Sequence, residues 1–448
     1  MKKLRDITIV SYFDDNYGDM LIKESFECLL KTVLDNIGVL EYETHRMHLK
    51  KIDEGMLKKT DLICFAGGGL FGLSYLNFYE YLKEIMDIAE ENEIPVIFSS
   101  MGINNMDYVE TDDDKLSEIL KYKCIKAISV REQQEWFQKY LGREELQVET
   151  VCDPALWAQF LLPENKKPRA NERLKLGINV VRNNLFLDNG YTWDAAKQFA
   201  YIDKLVKIAE SHGYDYILYT NGSLADNRAL KDYVEANKIS SENYRFTETT
   251  HDLLTIVSSC DFVCAIRLHS AIIATAYGKP SFTVVWNEKI PFFYQNIGFK
   301  EYALSEETAE CNDIEEIIES KIGKKIERNT EYLESLYKYL FSNICRIVDL
   351  KEEVEMFSVQ KVGEKAGEFY KENQKIYLME DYEFKDSKLV SNYFKLDNKV
   401  QEKNRELSDL KKENAKLLKD NKKMKADLDR IYSKLLVRIY RKIKRMIK

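Results

Sequence analysis

DFVCAIRLHSAIIATAYGKP, residues 261–280, carries a strand, a polar break and a helix within one short stretch. DFVCAI is continuously apolar, as a strand buried on both faces requires. AIIATAY reads as a helix, with Ser270 placed to cap its start and Gly278 and Pro280 to end it. A buried strand feeding a buried helix is half of a parallel strand–helix–strand unit. The break between them holds Arg267 and His269. A helix N-terminus offers unpaired N–H groups and positive dipole to an anion. Arginine adds a planar fork matched to carboxylate or phosphate, and histidine moves protons near neutral pH. A lone histidine in such a loop is more often a satisfied structural residue. Arginine, histidine and dipole together favour an anion site with acid–base capacity.

The same alternation runs outward from this unit. Strand patterns occur at 6–12, 61–67, 95–100 and 127–131, and again at 176–181, 214–220, 261–266 and 282–286. Amphipathic stretches such as MLIKESFECLLKTVL (20–34) lie between most of them. LLPENKKPRANERLK (161–175), with two prolines and many charges, separates the two sets and reads as a linker. The expected fold is α/β: two Rossmann-like domains facing a cleft, GT-B-like, over 1–165 and 172–330. A helical extension is expected at 331–395, a coiled coil at 396–433 and a basic amphipathic helix at 434–448.

All six prolines lie before residue 292, and the tail is rich in Lys, Glu, Asn and Leu. From Val400 a heptad places Val400, Leu407, Asn414, Asn421, Leu428 and Leu435 at one core position and Leu410, Leu417, Met424 and Ile431 at the other. Asparagine at successive core positions fits a homodimer through 400–431. KLLVRIYRKIKRMIK (434–448) has seven basic residues and no acid, and its apolar residues share a helical face. That pattern reads as an anchor on an anionic membrane surface.

The 448 residues are enough for two domains and an extension. A net charge of −8 argues against general nucleic-acid binding by the body. Eight scattered cysteines, several within apolar runs, fit a reducing cytosol better than a disulfide framework. The start, MKKLRDITIVSYFDD, lacks a signal-type apolar region, and no apolar run is long enough to span a bilayer. The expected location is cytoplasmic, peripheral at the inner face of the cell membrane.

In the first half, YFDDNYGDMLIKESF turns from a strand into a helix through Asn16 and Gly18. Asp19 sits near that helix's start, where a carboxylate can also act as a simple cap. ICFAGGGLFG puts Gly67, Gly68 and Gly69 after a strand, without the residues of a nucleotide-binding loop. SSMGINN repeats a glycine turn at Gly102, and the two turns suggest a cleft wall suited to a hydroxylated molecule. Arg131, the Asp153-Pro154 turn and Arg182 mark further strand ends. His45 and His48 read as surface residues, His251-Asp252 as a helix cap, and no metal-ligand set stands out.

NYGD, FAGGGLFG, SVRE, DPAL and IRLHSAIIATAYGKP together resemble the polysaccharide pyruvyl transferase family, over about residues 5–300. The resemblance implies transfer of a carboxyvinyl unit from phosphoenolpyruvate to a sugar, closing a cyclic pyruvate ketal across two hydroxyls of a glycan acceptor. It needs no cofactor and no metal. It casts His269 as proton donor, Arg267 and Arg182 as donor-binding together with Ser270, and Asp19 as the base. Asn16 and Gly67–Gly69 would shape the acceptor side. The family pattern often has Asp after SVR, so Glu132 receives no role. Two other readings stay open: a GT-B glycosyltransferase using a nucleotide sugar, and a non-catalytic scaffold recruiting partners through the coiled coil.

Overall fold

The computed structural model describes residues 3–12, 16–72, 76–104, 113–143, 145–164, 173–311 and 313–386, together with Lys403, Leu407, Leu410, Lys411, Leu417, Met424 and Lys425. Two six-stranded sheets form the body, and every strand pairing in both is parallel. The first holds β1 (Asp6–Ser11), β2 (Glu43–His48), β3 (Leu62–Gly72), β4 (Val96–Asn104), β5 (Ile125–Val130) and β6 (Val148–Thr150), in the order β2-β1-β3-β4-β5-β6. The second holds β7 (Lys175–Asn179), β8 (Asp215–Tyr219), β9 (Tyr244–Arg245), β10 (Phe262–Ala265), β11 (Ser281–Val284) and β12 (Ala303–Leu304), in the order β12-β11-β10-β7-β8-β9.

Each order reverses direction once, between β1 and β3 in the first sheet and between β7 and β10 in the second. At such a reversal the loops leaving the carboxyl ends of adjacent strands diverge to opposite faces and leave a crevice. The chain segments at these two crevices are YGD (17–19), GGG (67–69), VVR (180–182) and RLHS (267–270).

The eight expected strands are all present; the four unforeseen ones, β2, β6, β9 and β12, are the four sheet edges. Edge strands lack a neighbour on one side, so they need not be continuously apolar. β2 reads ETHRMH, with only Met47 buried. His45 and His48, expected at the surface, are half-buried on it, and His45 Nε2 lies 2.9 Å from an Asp6 carboxylate oxygen. Gly67–Gly69 form no strand-to-helix turn as expected; they lie inside β3, at a register shift where it pairs with β4. Glycine tolerates the positive φ that Gly67 and Gly68 adopt there.

Apolar residues of both sheets join in one core, which includes Leu21, Phe26 and Trp157 beside Val263, Ile272 and Phe282. A second core fills the other face of the first sheet around Phe65, Phe98 and Phe137. Helix Thr330–Ile347, beyond the second sheet in sequence, packs against the first: the Tyr339 hydroxyl donates to the Phe98 carbonyl at 2.8 Å. Helix Val359–Asp386 spans most of the aromatic-rich stretch 360–395. It buries Tyr370 and Tyr377 against helix Tyr17–Asn36. Its Glu380 pairs with Lys23 at 2.5 Å and with Arg46 at 3.2 Å.

A second unit runs from Asp386 to Lys448. Its eight described residues are helical, and Leu407, Leu410, Leu417 and Met424 are exposed. Most of the expected coiled coil, residues 165–172 of the linker and all of 434–448 lie outside the described residues. Among the described residues no helix is long and apolar enough to cross a membrane.

Candidate active site

His269 lies where the two sheets' loops meet. Helix Leu268–Ala276 begins with Arg267 as its N-cap, so His269 is in its first turn. Ser270 does not cap this helix as expected; it lies within it, fully buried, and its hydroxyl bonds Asn221 Oδ1 at 2.7 Å. His269 is 9% exposed and projects against the start of helix Tyr17–Asn36 from the other sheet. There a Cβ on Gly18 would come within 2.5 Å of the His269 side chain, so only glycine admits this approach.

Two carboxylates flank the imidazole. Asp19 Oδ1 is 3.9 Å from Nδ1, and Asp153 Oδ2 is 3.8 Å from Nε2. Both exceed hydrogen-bond length, and Nε2 is buried without a hydrogen-bond partner. Burial holds the imidazole below its ordinary pKa, against the pull of Asp19 and Asp153, while Arg131 and Lys289 push it the same way as burial.

Asp153 has a structural task as well. Its Oδ1 accepts from Ala155 N at 2.8 Å and caps the 3₁₀ turn Pro154–Trp157. Its Oδ2 accepts from Arg131 Nη1. Arg131 directly follows β5, is 8% exposed, and has its Nε 3.8 Å from Glu132 Oε2. Gly102 lies inside β4 rather than in the turn expected from SSMGINN, and a Cβ there would meet Arg131 Nη2 at 2.2 Å, so the glycine makes room for a guanidinium. Glu132, given no role from sequence, is buried and accepts from Ile103 N at 2.8 Å.

Lys289, at the first turn of helix Lys289–Asn296, completes the cluster. Burial brings its ammonium down to about 8, with Glu132, Asp19 and Asp153 acting the other way. Sequence reasoning missed it. The available signal was its place just after β11, a carboxyl strand end like those of Arg182 and Arg267.

The other candidates divide. Arg267 is drawn away from the imidazole into a paired fork: Nε and Nη2 bond Asp226 at 2.9 and 2.8 Å, with Trp286 alongside. Arg182 donates its backbone N–H to the same Asp226 at 2.8 Å, and its guanidinium bonds Asp188. Asn16 caps helix Tyr17–Asn36 by accepting from Gly18 N at 3.0 Å. Asp19 lies in that helix's first turn, 30% exposed at its side chain.

The loop after β8, also missed, ties the halves together. The Asn221 carbonyl accepts from Tyr17 N at 2.9 Å. Its Oδ1 accepts from Asn179 and Ser270, while its buried Nδ2 lacks a partner. Asn179 Oδ1 in turn accepts from Arg267 N at 2.8 Å and sets the backbone entering His269.

These groups can bind an anion, hold a proton on an imidazole and place a carboxylate beside it. The sequence profile of the polysaccharide pyruvyl transferase family matches residues 16–288, which contain every member of the cluster except Lys289, one residue beyond the match. No curated protein matches the sequence. Among solved structures, a UDP-GlcNAc 2-epimerase from Methanocaldococcus jannaschii, in complex with UDP-GlcNAc and UDP, is 12% identical over 82% of this chain and 99% of its own, with a TM-score of 0.41. A trehalose 6-phosphate synthase from Burkholderia multivorans is 10% identical over 84% and 99%, with a TM-score of 0.39. An uncharacterised protein from Klebsiella pneumoniae is 16% identical over 67% and 92%, with a TM-score of 0.36. These likenesses are too distant to bear on activity. The family match covers more than half of the chain, which therefore belongs to the polysaccharide pyruvyl transferase family and is a transferase.

Proposed function

We propose that the protein transfers pyruvate from phosphoenolpyruvate to two hydroxyls of a surface-polysaccharide or lipid-linked glycan precursor, forming a cyclic ketal. The observation that carries this reading is His269, buried between Asp19 and Asp153 with Arg131, Glu132 and Lys289 around it. The two sheets form a GT-B-like pair, with the acceptor on the side of β3 and the donor at helix Leu268–Ala276.

Phosphoenolpyruvate carries a carboxylate and a phosphate. Lys289 and the N-terminus of helix Leu268–Ala276 suit them, with Arg131 behind. Arg267, engaged by Asp226, sets the helix start rather than gripping the donor. The incoming anion also raises the pKa of His269, so the imidazole takes up a proton as the donor binds. His269 then gives that proton to C3, and C2 becomes electrophilic. A sugar hydroxyl adds to C2 and its proton passes to Asp19, which is partly exposed, whereas Asp153 is held by Arg131 and Ala155 N. The second hydroxyl attacks C2, the C2–O bond to phosphate breaks, and phosphate leaves with that hydroxyl's proton. One hydroxyl proton thus replaces the one delivered to C3, and the other departs on phosphate.

Residues 400–431 pair two copies, and 434–448 holds the enzyme on the inner face of the membrane where such precursors sit. Deleting 434–448 releases it from anionic vesicles; unchanged binding removes the anchor. Thermal shift tests the donor. Phosphoenolpyruvate at about 100 times its dissociation constant should stabilise the fold by about 2.7 kcal/mol, while a uridine diphosphate should not. The reverse result selects the nucleotide-sugar glycosyltransferase.

A further inference from the structure

Among the described residues of the second unit, the exposed apolar ones lie in a single series. Leu407, Leu410, Leu417 and Met424 are helical and 50–60% exposed. Their spacing of three, seven and seven residues follows the 3.5-residue repeat that keeps one seam along a helix. Lone helices do not need such a seam.

The charges beside the seam say what covers it. Counting Leu407 and Leu410 as the two core positions, the place before each first core residue is always acidic: Glu406, Glu413, Asp420 and Asp427. The place after the second core residue is Lys411 and Lys425, with Leu418 between. In a parallel pair of copies, the first column faces the residue five places on in the partner. Glu406 then meets the partner's Lys411, and Asp420 meets the partner's Lys425. In an antiparallel pair the acidic column faces itself.

Asn414 and Asn421 occupy the first core position in successive heptads. In parallel register each meets its own copy and the two amides bond each other. Antiparallel pairing sets them against leucine or methionine, leaving a buried amide without a partner.

We infer that two copies of this chain associate through residues 407–428 as a parallel, in-register coiled coil. This rests on the reading of 400–431 as a pairing segment and adds the direction and register of the pair. Both 434–448 stretches, with seven basic residues in each copy, then leave the coil at the same end.

The test uses the full chain with Cys311→Ser and Cys345→Ser, since the other six cysteines are buried. Leu410→Cys and Met424→Cys are introduced singly, and mass is measured before oxidation. A dimer in which 410 links to 410 and 424 to 424, with little 410–424 product on mixing, supports the inference. A dimer that gives mainly the mixed product overturns the direction but keeps the pairing. A monomer at every concentration overturns both. As a second arm, Glu406→Lys with Asp420→Lys should raise the dimer dissociation constant about tenfold or more. Adding Lys411→Glu and Lys425→Glu should restore it; failure to restore contradicts the inferred facing pairs. Neither readout depends on turnover.

Discussion

At the scale of single residues, the cleft separates two kinds of arginine. Asp226 is fully buried and accepts from both arms of Arg267 and from the Arg182 backbone. Removing one partner of a buried pair leaves an uncompensated charge. Asp226→Ala is therefore expected to destabilise the fold by about 3–5 kcal/mol, read from the urea midpoint. Arg182→Ala breaks an exposed pair with Asp188 and is expected to cost about 1 kcal/mol or less. Equal effects would contradict this division. The primary sequence marks Arg267 and His269 alike as polar residues in an apolar setting. It does not say which faces the cleft, because that depends on Asp226, forty-one residues away. Asp19 and His269 were legible because each follows a strand end. Lys289 was not, because an isolated lysine after a strand is ordinarily a solvated residue.

At the scale of elements, helix Val359–Asp386 fastens a seam between the sheets' helices. Asp381 accepts from Thr250 N at 2.9 Å at the start of helix Thr250–Ser258. The Thr250 hydroxyl also bonds Glu24 of helix Tyr17–Asn36 at 3.1 Å. Burial raises the Asp381 carboxyl to about 7 and pushes Glu24 well up, with Asp381 adding to the rise of Glu24 and Glu380 adding to both, despite Lys23. The folded protein thus holds protons that the unfolded chain releases near pH 4. The stability tied to them is complete below about pH 4 and is lost as pH rises through about 7. Tm should fall more between pH 5 and pH 8 for the native chain than for Asp381→Asn, whose amide still accepts from Thr250. Parallel Tm profiles would contradict this. The packing of this helix was not legible, because its Tyr377 meets Glu27, 350 residues earlier in the chain. The central strands were legible because burial on both faces makes them continuous apolar runs. Their edges were not, since ETHRMH and YR resemble loops until a neighbour supplies the pairing.

At the scale of the whole molecule, each sheet brings a strand-order reversal, and the loops from the two reversals meet at Gly18 and His269. Tyr17 is held by the Asn221 carbonyl of the second sheet, so the start of helix Tyr17–Asn36 and the imidazole are set as one arrangement. The central claim is that this junction receives phosphoenolpyruvate and that His269 acquires its proton when the donor arrives. Calorimetric titration with phosphoenolpyruvate at pH 7.5, in buffers of different ionisation heat, counts the protons taken up on binding. The native chain should bind with an uptake approaching one proton, and His269→Ala should bind with little or none. Binding without proton uptake, or the same uptake in His269→Ala, would contradict the account.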